Sequence, residues 1–318
     1  MAASRSTSSS ADRVGERQAA VAPNYVLTLS CPQRPGIVHA VTAFLFGHGC
    51  DIVEHQQFDD PIRGALFLRT EFRPTDAGPA GGAVPAGAAA DAVDAVALSA
   101  AFRAEVAQEF DMEFELSDDR PQRVVVMVSR MGHCLNDLIF RWRARSLHAE
   151  LVAVVSNHED LRPMAEAAGL PFHHVPVTPD TKPRAEQRLL ELVEEYRADV
   201  VVLARYMQVL SDAMCLKLLG RAINIHHSFL PGFKGAKPYH QAYDRGVKLV
   251  GATAHYVTPD LDEGPIIEQE VIRIDHTLDP RALATVGRDA EAVALARAVK
   301  WHSERRVLLN ERSTVVFR

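Results

Sequence analysis

Cysteine is scarce in this chain: Cys31, Cys50, Cys134 and Cys215 are its 4 cysteines in 318 residues, far apart and with no CxxC spacing. That argues against a disulfide framework or a zinc site and fits a reducing, cytoplasmic setting. No apolar run approaches the roughly 20 residues that cross a bilayer, and the first residues lack the apolar segment of a secretory signal. An excess of one charge is also missing. Lys and Arg number 35 against 41 Asp and Glu, a formal charge of -6, and the basic residues are dispersed. Arg141, Arg143 and Arg145 read as a solvated helix face, so no nucleic-acid or membrane partner is expected. The tandem histidines His173-His174 and His226-His227 have no carboxylate spaced as a partner. Neighbouring strand residues face opposite ways, so no metal is expected.

What remains is ordinary for a soluble protein, 47% hydrophobic and 24% charged, and long enough for two domains. Residues 1–23 are rich in Ser, Ala and Arg with no apolar period, and read as a disordered tail. From Asn24 a strand (Tyr25 to Ser30) meets a turn in which Pro35 opens a helix. Apolar residues at Ile37, Val41, Phe44 and Leu45 give that helix a half-buried stripe. A hairpin follows around Asp59-Asp60-Pro61, then a Gly/Ala/Pro-rich stretch, 75–90, read as a flexible insertion. A second helix (about 93–110) and a strand (Met112 to Leu116) complete a β-α-β-β-α-β order, the ferredoxin-like α+β plan, over residues 24–117.

Residues 118–121 are polar and end in Pro121, a linker. From 122 to 318 short apolar runs alternate with helical segments, and Val200 to Ala204 is wholly apolar, as in buried parallel strands. The rhythm predicts a doubly wound, mostly parallel, Rossmann-like α/β sheet, with its site beyond the carboxyl ends of the strands. Residues 239–246 and 279–310 read as helical, and 314–317 as a closing strand.

The stretch Ala222 to Pro231 carries the chemistry. Asn224 and His226 stand two apart in a strand, so their side chains share a face. If Gly251 to Val257 is a parallel neighbour, both following loops leave one edge and Asp262 reaches the pair. Asn224 then donates to the oxygen of a carbonyl becoming tetrahedral. His226 moves a proton between water and a leaving nitrogen, and Asp262 accepts from the imidazole and holds the water. No Ser or Cys with a matched base stands nearby, which disfavours a covalent acyl-enzyme. His227 reads as a packing residue.

Residues 24–117 resemble an ACT domain, through Arg34-Pro35-Gly36-Ile37-Val38 and Gly49-Cys50-Asp51-Ile52. That resemblance implies a homo-oligomer through ACT pairing, and a small amino-acid effector such as glycine or methionine near Arg34, Gly36 and Ile37. A purely structural dimerisation module is the alternative. Asn224 to Pro231, with Asp262 in Leu261-Asp262-Glu263-Gly264-Pro265, is similar to the Asn/His/Asp signature of the folate-dependent formyltransferase fold. Leu203 to Leu210 and Phe233 to Tyr243 narrow the resemblance to the formyltetrahydrofolate deformylase family, over about 24–317. It implies hydrolysis of 10-formyltetrahydrofolate to formate and tetrahydrofolate, with the folate as substrate and no separate cofactor. It also implies that Met207, Gln208, Val209 and Leu210, with the Asp262 loop and its Gly264, hold the pterin. Related transferases carry a Gly-rich phosphate loop after the first strand. Ser129 to Asp137 has a single glycine there, which favours water as the nucleophile. Formyl transfer to an amine, or a folate-binding, amino-acid-sensing module, are the alternatives.

Overall fold

The structure, a computed structural model, describes residues 24–75, 94–232 and 238–318. The tail 1–23, nearly all of the 75–90 insertion and residues 233–237 lie outside the described residues.

The first half contains β1 (Tyr25–Pro32), α1 (Ile37–Gly47), β2 (Cys50–Asp60), β3 (Ala65–Pro74), α2 (Ala95–Phe102) and β4 (Glu113–Asp118). A π-helical turn, Arg103–Ala107, continues α2. The strands form an antiparallel sheet in the order β2-β3-β1-β4, the ferredoxin-like arrangement. The expected stripe of α1, Ile37, Val41, Phe44 and Leu45, is the buried one. Gly36, at φ 95, supplies the left-handed entry that other residues rarely adopt. Asp94 caps α2 by accepting from the Val96 and Ala97 N–H groups.

The second half runs β5 (Gln122–Val128), α3 (His133–Arg143), β6 (Ala149–Ser156), α4 (Arg162–Ala167), β7 (Phe172–His174), α5 (Lys182–Glu195), β8 (Val200–Leu203) and α6 (Asp212–Lys217). It continues with β9 (Ala222–His226), α7 (Pro238–Asp244), β10 (Leu249–Tyr256), β11 (Ile266–Arg273), α8 (Pro280–Ser303), β12 (Val307–Asn310) and β13 (Ser313–Val316). Strands β5 to β11 form a seven-stranded sheet in the order β11-β10-β9-β8-β5-β6-β7. Alternate residues of β5 serve cores on opposite faces: Val124, Val126 and Val128 on one, Val125 and Met127 on the other. Burial on both faces explains why these strands read as continuous apolar runs.

Strands β7, β6, β5, β8 and β9 are mutually parallel, but β10 runs antiparallel to β9. The expected parallel pairing of these two strands is therefore wrong. An apolar run carries no mark of its direction, and β10 turns back through residues 257–265 to pair with β11, again antiparallel. The helix expected over 279–310 ends at Ser303, and 314–316 pairs with β12 in a separate hairpin.

That C-terminal segment ties the two sheets together. Arg69, 2% exposed, ion-pairs with Glu54 and Glu71 and donates to the Glu304 carbonyl at 3.2 Å. Arg306 reaches Glu54 at 2.9 Å, and Asn310 donates to Asp60 at 2.9 Å. Among the described residues no helix is long and apolar enough to cross a membrane.

Candidate active site

Asn224 and His226 alternate with Ala222 on one face of β9, while Ile223 and Ile225 pack on the other. On the neighbouring strand His255 stands opposite Asn224, and Thr253 opposite His226. Antiparallel pairing thus places a second histidine beside the Asn224/His226 pair.

Strand β10 ends beside Ile223, so Asp262 arrives from the opposite end of β9 from the one expected. The 257–265 loop is folded back to bring it in. Val257 N–H donates to the Ala222 carbonyl at 2.9 Å, and Tyr256 N–H to the Pro265 carbonyl at 3.0 Å. Gly264 makes this return possible, because a Cβ there would lie 1.8 Å from the Tyr256 carbonyl oxygen. Asp262 itself adopts the left-handed region, φ 58, which short polar side chains tolerate best. Its Oδ2 is 3.3 Å from His226 Nδ1, and its Oδ1 3.7 Å from His255 Nε2.

Hydrogen bonding assigns the tautomers. His255 Nδ1 lies 2.9 Å from the Tyr256 carbonyl oxygen, which only accepts, so Nδ1 carries the proton. Burial lowers the His255 pKa and keeps the ring neutral. Its Nε2 therefore accepts from Asn224 Nδ2 at 3.2 Å. One N–H of the Asn224 carboxamide is held by His255, and the other is left for a substrate. Burial presses the Asp262 carboxyl upward, but the hydrogen bond from His226 and the nearby imidazoles outweigh it and leave the group below its ordinary range. An ionised Asp262 accepts from Nδ1–H of His226, whose buried Nε2 has no hydrogen-bond partner among the described residues. A basic nitrogen with no partner, backed by a carboxylate, is poised to exchange a proton.

The loop after β9 is fixed by Thr253. Its hydroxyl donates to the Ser228 carbonyl at 2.9 Å and accepts from the Leu230 N–H at 3.1 Å and from Gln269 at 3.1 Å. His227 is neutral, since burial together with Arg205 and His226 pulls its pKa down to about 4.

These groups open on a cavity of about 300 Å³, at the lower end for a small-molecule site. Met207, Gln208, Val209 and Leu210 line its other side. The Met207 N–H is already held, donating at 3.0 Å to Ser129 Oγ, which itself donates to Asn157 at 2.6 Å. Gly264 is not on the wall; it packs behind it, against Tyr256. The suggested effector residues lie in the other half. Arg34 is paired with Asp111 and the Glu109 carbonyl, Gly36 opens α1, and Ile37 is buried in the core.

Sequence reasoning missed His255 and a buried cluster beside the cavity. Glu291 of α8 accepts from Tyr239 at 2.8 Å, lies 2.8 Å from His133 Nε2 and sits 3.3 Å from Arg205 Nε. Burial raises the Glu291 carboxyl, yet His133, Arg205 and Tyr239 together hold it below its ordinary range. His133, Cys134 and Glu291 offer ligand atoms within 4.8 Å of one another, the arrangement that could hold a metal. The Arg205 guanidinium against the same carboxylate opposes a divalent cation there. Glu291, the one charged residue on the buried side of a long helix, was the signal that could have found the cluster.

Residues 122–299 match the formyl transferase family model. A formyltetrahydrofolate deformylase from Corynebacterium sp. (strain P-1) is 54% identical over 92% of this chain and 98% of that protein. The crystal structure of formyltetrahydrofolate deformylase from Burkholderia mallei superposes with a TM-score of 0.84 at 49% identity, over 93% of this chain and 100% of that one. A glycinamide ribonucleotide transformylase from Symbiobacterium toebii superposes with a TM-score of 0.59 at 27% identity, over 63% of this chain and 95% of that one.

Proposed function

The chain belongs to the formyltetrahydrofolate deformylase family, and on that premise we propose that its cavity hydrolyses 10-formyltetrahydrofolate to formate and tetrahydrofolate through Asn224, His226 and Asp262. The observation that carries this reading is the meeting of a free carboxamide N–H, an unpartnered imidazole nitrogen and an ionised carboxylate on one wall.

The formyl oxygen accepts from the free N–H of Asn224, and one such donor is worth about 2.7–4 kcal/mol as the oxygen becomes negative. Water held by the Asp262 carboxylate adds to the formyl carbon. The proton it loses passes into the Asp262–His226 pair, and the imidazolium returns one to the leaving nitrogen as the C–N bond breaks. Asp262 holds Nδ1 protonated, which leaves Nε2 as the atom that exchanges the proton. Met207 to Leu210 form the opposite wall, against which the flat pterin stacks.

Water rather than an amine is favoured by the approach from the end of β5. A Cβ on Gly132 would lie 2.9 Å from a methyl of Leu161, so this glycine serves packing rather than an open anion cradle. The test is formate release from 10-formyltetrahydrofolate in buffer free of amines. Formate formed at a steady rate supports the reading; formate or formyl product appearing only when an amine is added overturns it.

A further inference from the structure

Among the described residues on the cavity wall, Arg205 alone carries a permanent positive charge. Its side chain is 12% exposed and its Nε lies 3.3 Å from Glu291, yet Nε and Nη1 are buried with no hydrogen-bond partner among the described residues. Glu291 neutralises the charge but has other donors to serve, since Tyr239 and His133 both lie 2.8 Å from its carboxylate. That arrangement is built: Gly287 is the residue that admits Tyr239, because a Cβ there would lie 2.0 Å from the Tyr239 hydroxyl. Arg205 is also held in the left-handed region, φ 65, where a long side chain is seldom found. A guanidinium so held, with donors unfilled, calls for an acceptor that the described residues do not supply.

We propose that Arg205, backed by Glu291, is the cradle for the formate product. This rests on the hydrolytic reading above. Hydrolysis forms one C–O bond from water and breaks the C–N bond, with a proton going to the nitrogen. The formic acid left behind gives up its own proton, so a new anion appears beside the ionised Asp262. Two carboxylates in one small cavity repel each other, and Arg205 is the group positioned to accept the second. A planar guanidinium matches a planar carboxylate through parallel N–H···O bonds.

Binding of 13C-labelled formate to the full-length protein, followed by NMR and challenged with sodium nitrate as a planar competitor, tests this directly. The wild type is expected to bind formate and release it to nitrate. Arg205→Gln is expected to weaken formate at least tenfold, in binding and in product inhibition, with inhibition by tetrahydrofolate unchanged. Arg205→Lys keeps the charge beside Glu291, and so decides the matter if the glutamine variant does not fold. It is expected to bind formate several-fold more weakly than wild type, because a point charge lacks the paired donors. No formate binding by wild type, or equal binding by the folded variants, overturns the proposal. A wild type that hydrolyses 10-formyltetrahydrofolate while binding formate independently of Arg205 defeats this inference alone, whereas one that releases no formate defeats the hydrolytic reading.

Discussion

Replacing His255 with leucine separates the positioning of Asn224 from the chemistry it performs. His255 touches no reacting atom in the proposed mechanism; it accepts one Asn224 N–H at 3.2 Å and spends its own Nδ1–H on the Tyr256 carbonyl at 2.9 Å. Leucine of similar volume removes both contacts. Leaving a buried N–H and a buried carbonyl unpaired costs about 1–3 kcal/mol each, so unfolding free energy should drop by roughly 2–6 kcal/mol. The carboxamide is then free to rotate. If its second N–H no longer meets the formyl oxygen, up to about 2.7–4 kcal/mol of transition-state stabilisation is lost. The expected fall in kcat is therefore on the order of 100-fold, with KM changed far less, since the cavity wall of Met207 to Leu210, proposed to hold the pterin, is untouched. His255→Gln, whose amide oxygen can accept from Asn224, should recover part of that loss. The assay is formate release at saturating substrate alongside a thermal melt. A folded leucine variant within threefold of wild-type kcat would refute the role given to His255.

Asp262→Asn should lower turnover by about 100-fold or more and also lower the melting temperature, because the imidazole contacts that hold this carboxyl below its ordinary range outweigh burial and make its charge stabilising; steady-state kinetics and calorimetry on one preparation check both halves. Gly264→Ala drives a Cβ into the Tyr256 carbonyl and should cost on the order of 2 kcal/mol or more, visible as a lower urea midpoint together with lost activity. Stability should fall with pH between about 6.5 and 4. His227 and His302, at about 4 when folded against 6.5 ordinarily, stay neutral while the unfolded chain takes up protons. Each group contributes at most about 1.4 kcal/mol per pH unit across that window. Urea titrations at pH 7 and 5 should show the loss, and His302→Gln should flatten it.

Local pattern made part of this site legible. Two polar residues two apart in an apolar strand, Asn224 and His226, announced a shared face, and their alternation with Ile223 and Ile225 is what the sheet displays. The stripe of α1 was readable for the same reason. The direction of β10 was not, because antiparallel and parallel strands share one periodicity, and with it went the partnership of His255 with Asn224. The resemblance placed Gly264 in the loop that holds the pterin; in the structure it lets the loop's own backbone approach Tyr256. The Arg205–Glu291 contact joins a strand end to a helix far along the chain, and no local spacing encodes such a meeting. Strand β12 was hidden by the helix-like composition running past Ser303, whereas β13 was readable as the closing strand 314–317.

In the proposed hydrolysis water takes the formyl group with no acceptor between. Turnover of 10-formyltetrahydrofolate in 18O-enriched water, with formate trapped within the first few turnovers, tests it most directly. One solvent oxygen is expected in each formate released, and no formate at all when His226 is replaced by alanine and turnover ceases. Formate carrying no solvent oxygen, or released only after an amine has been formylated, would contradict it.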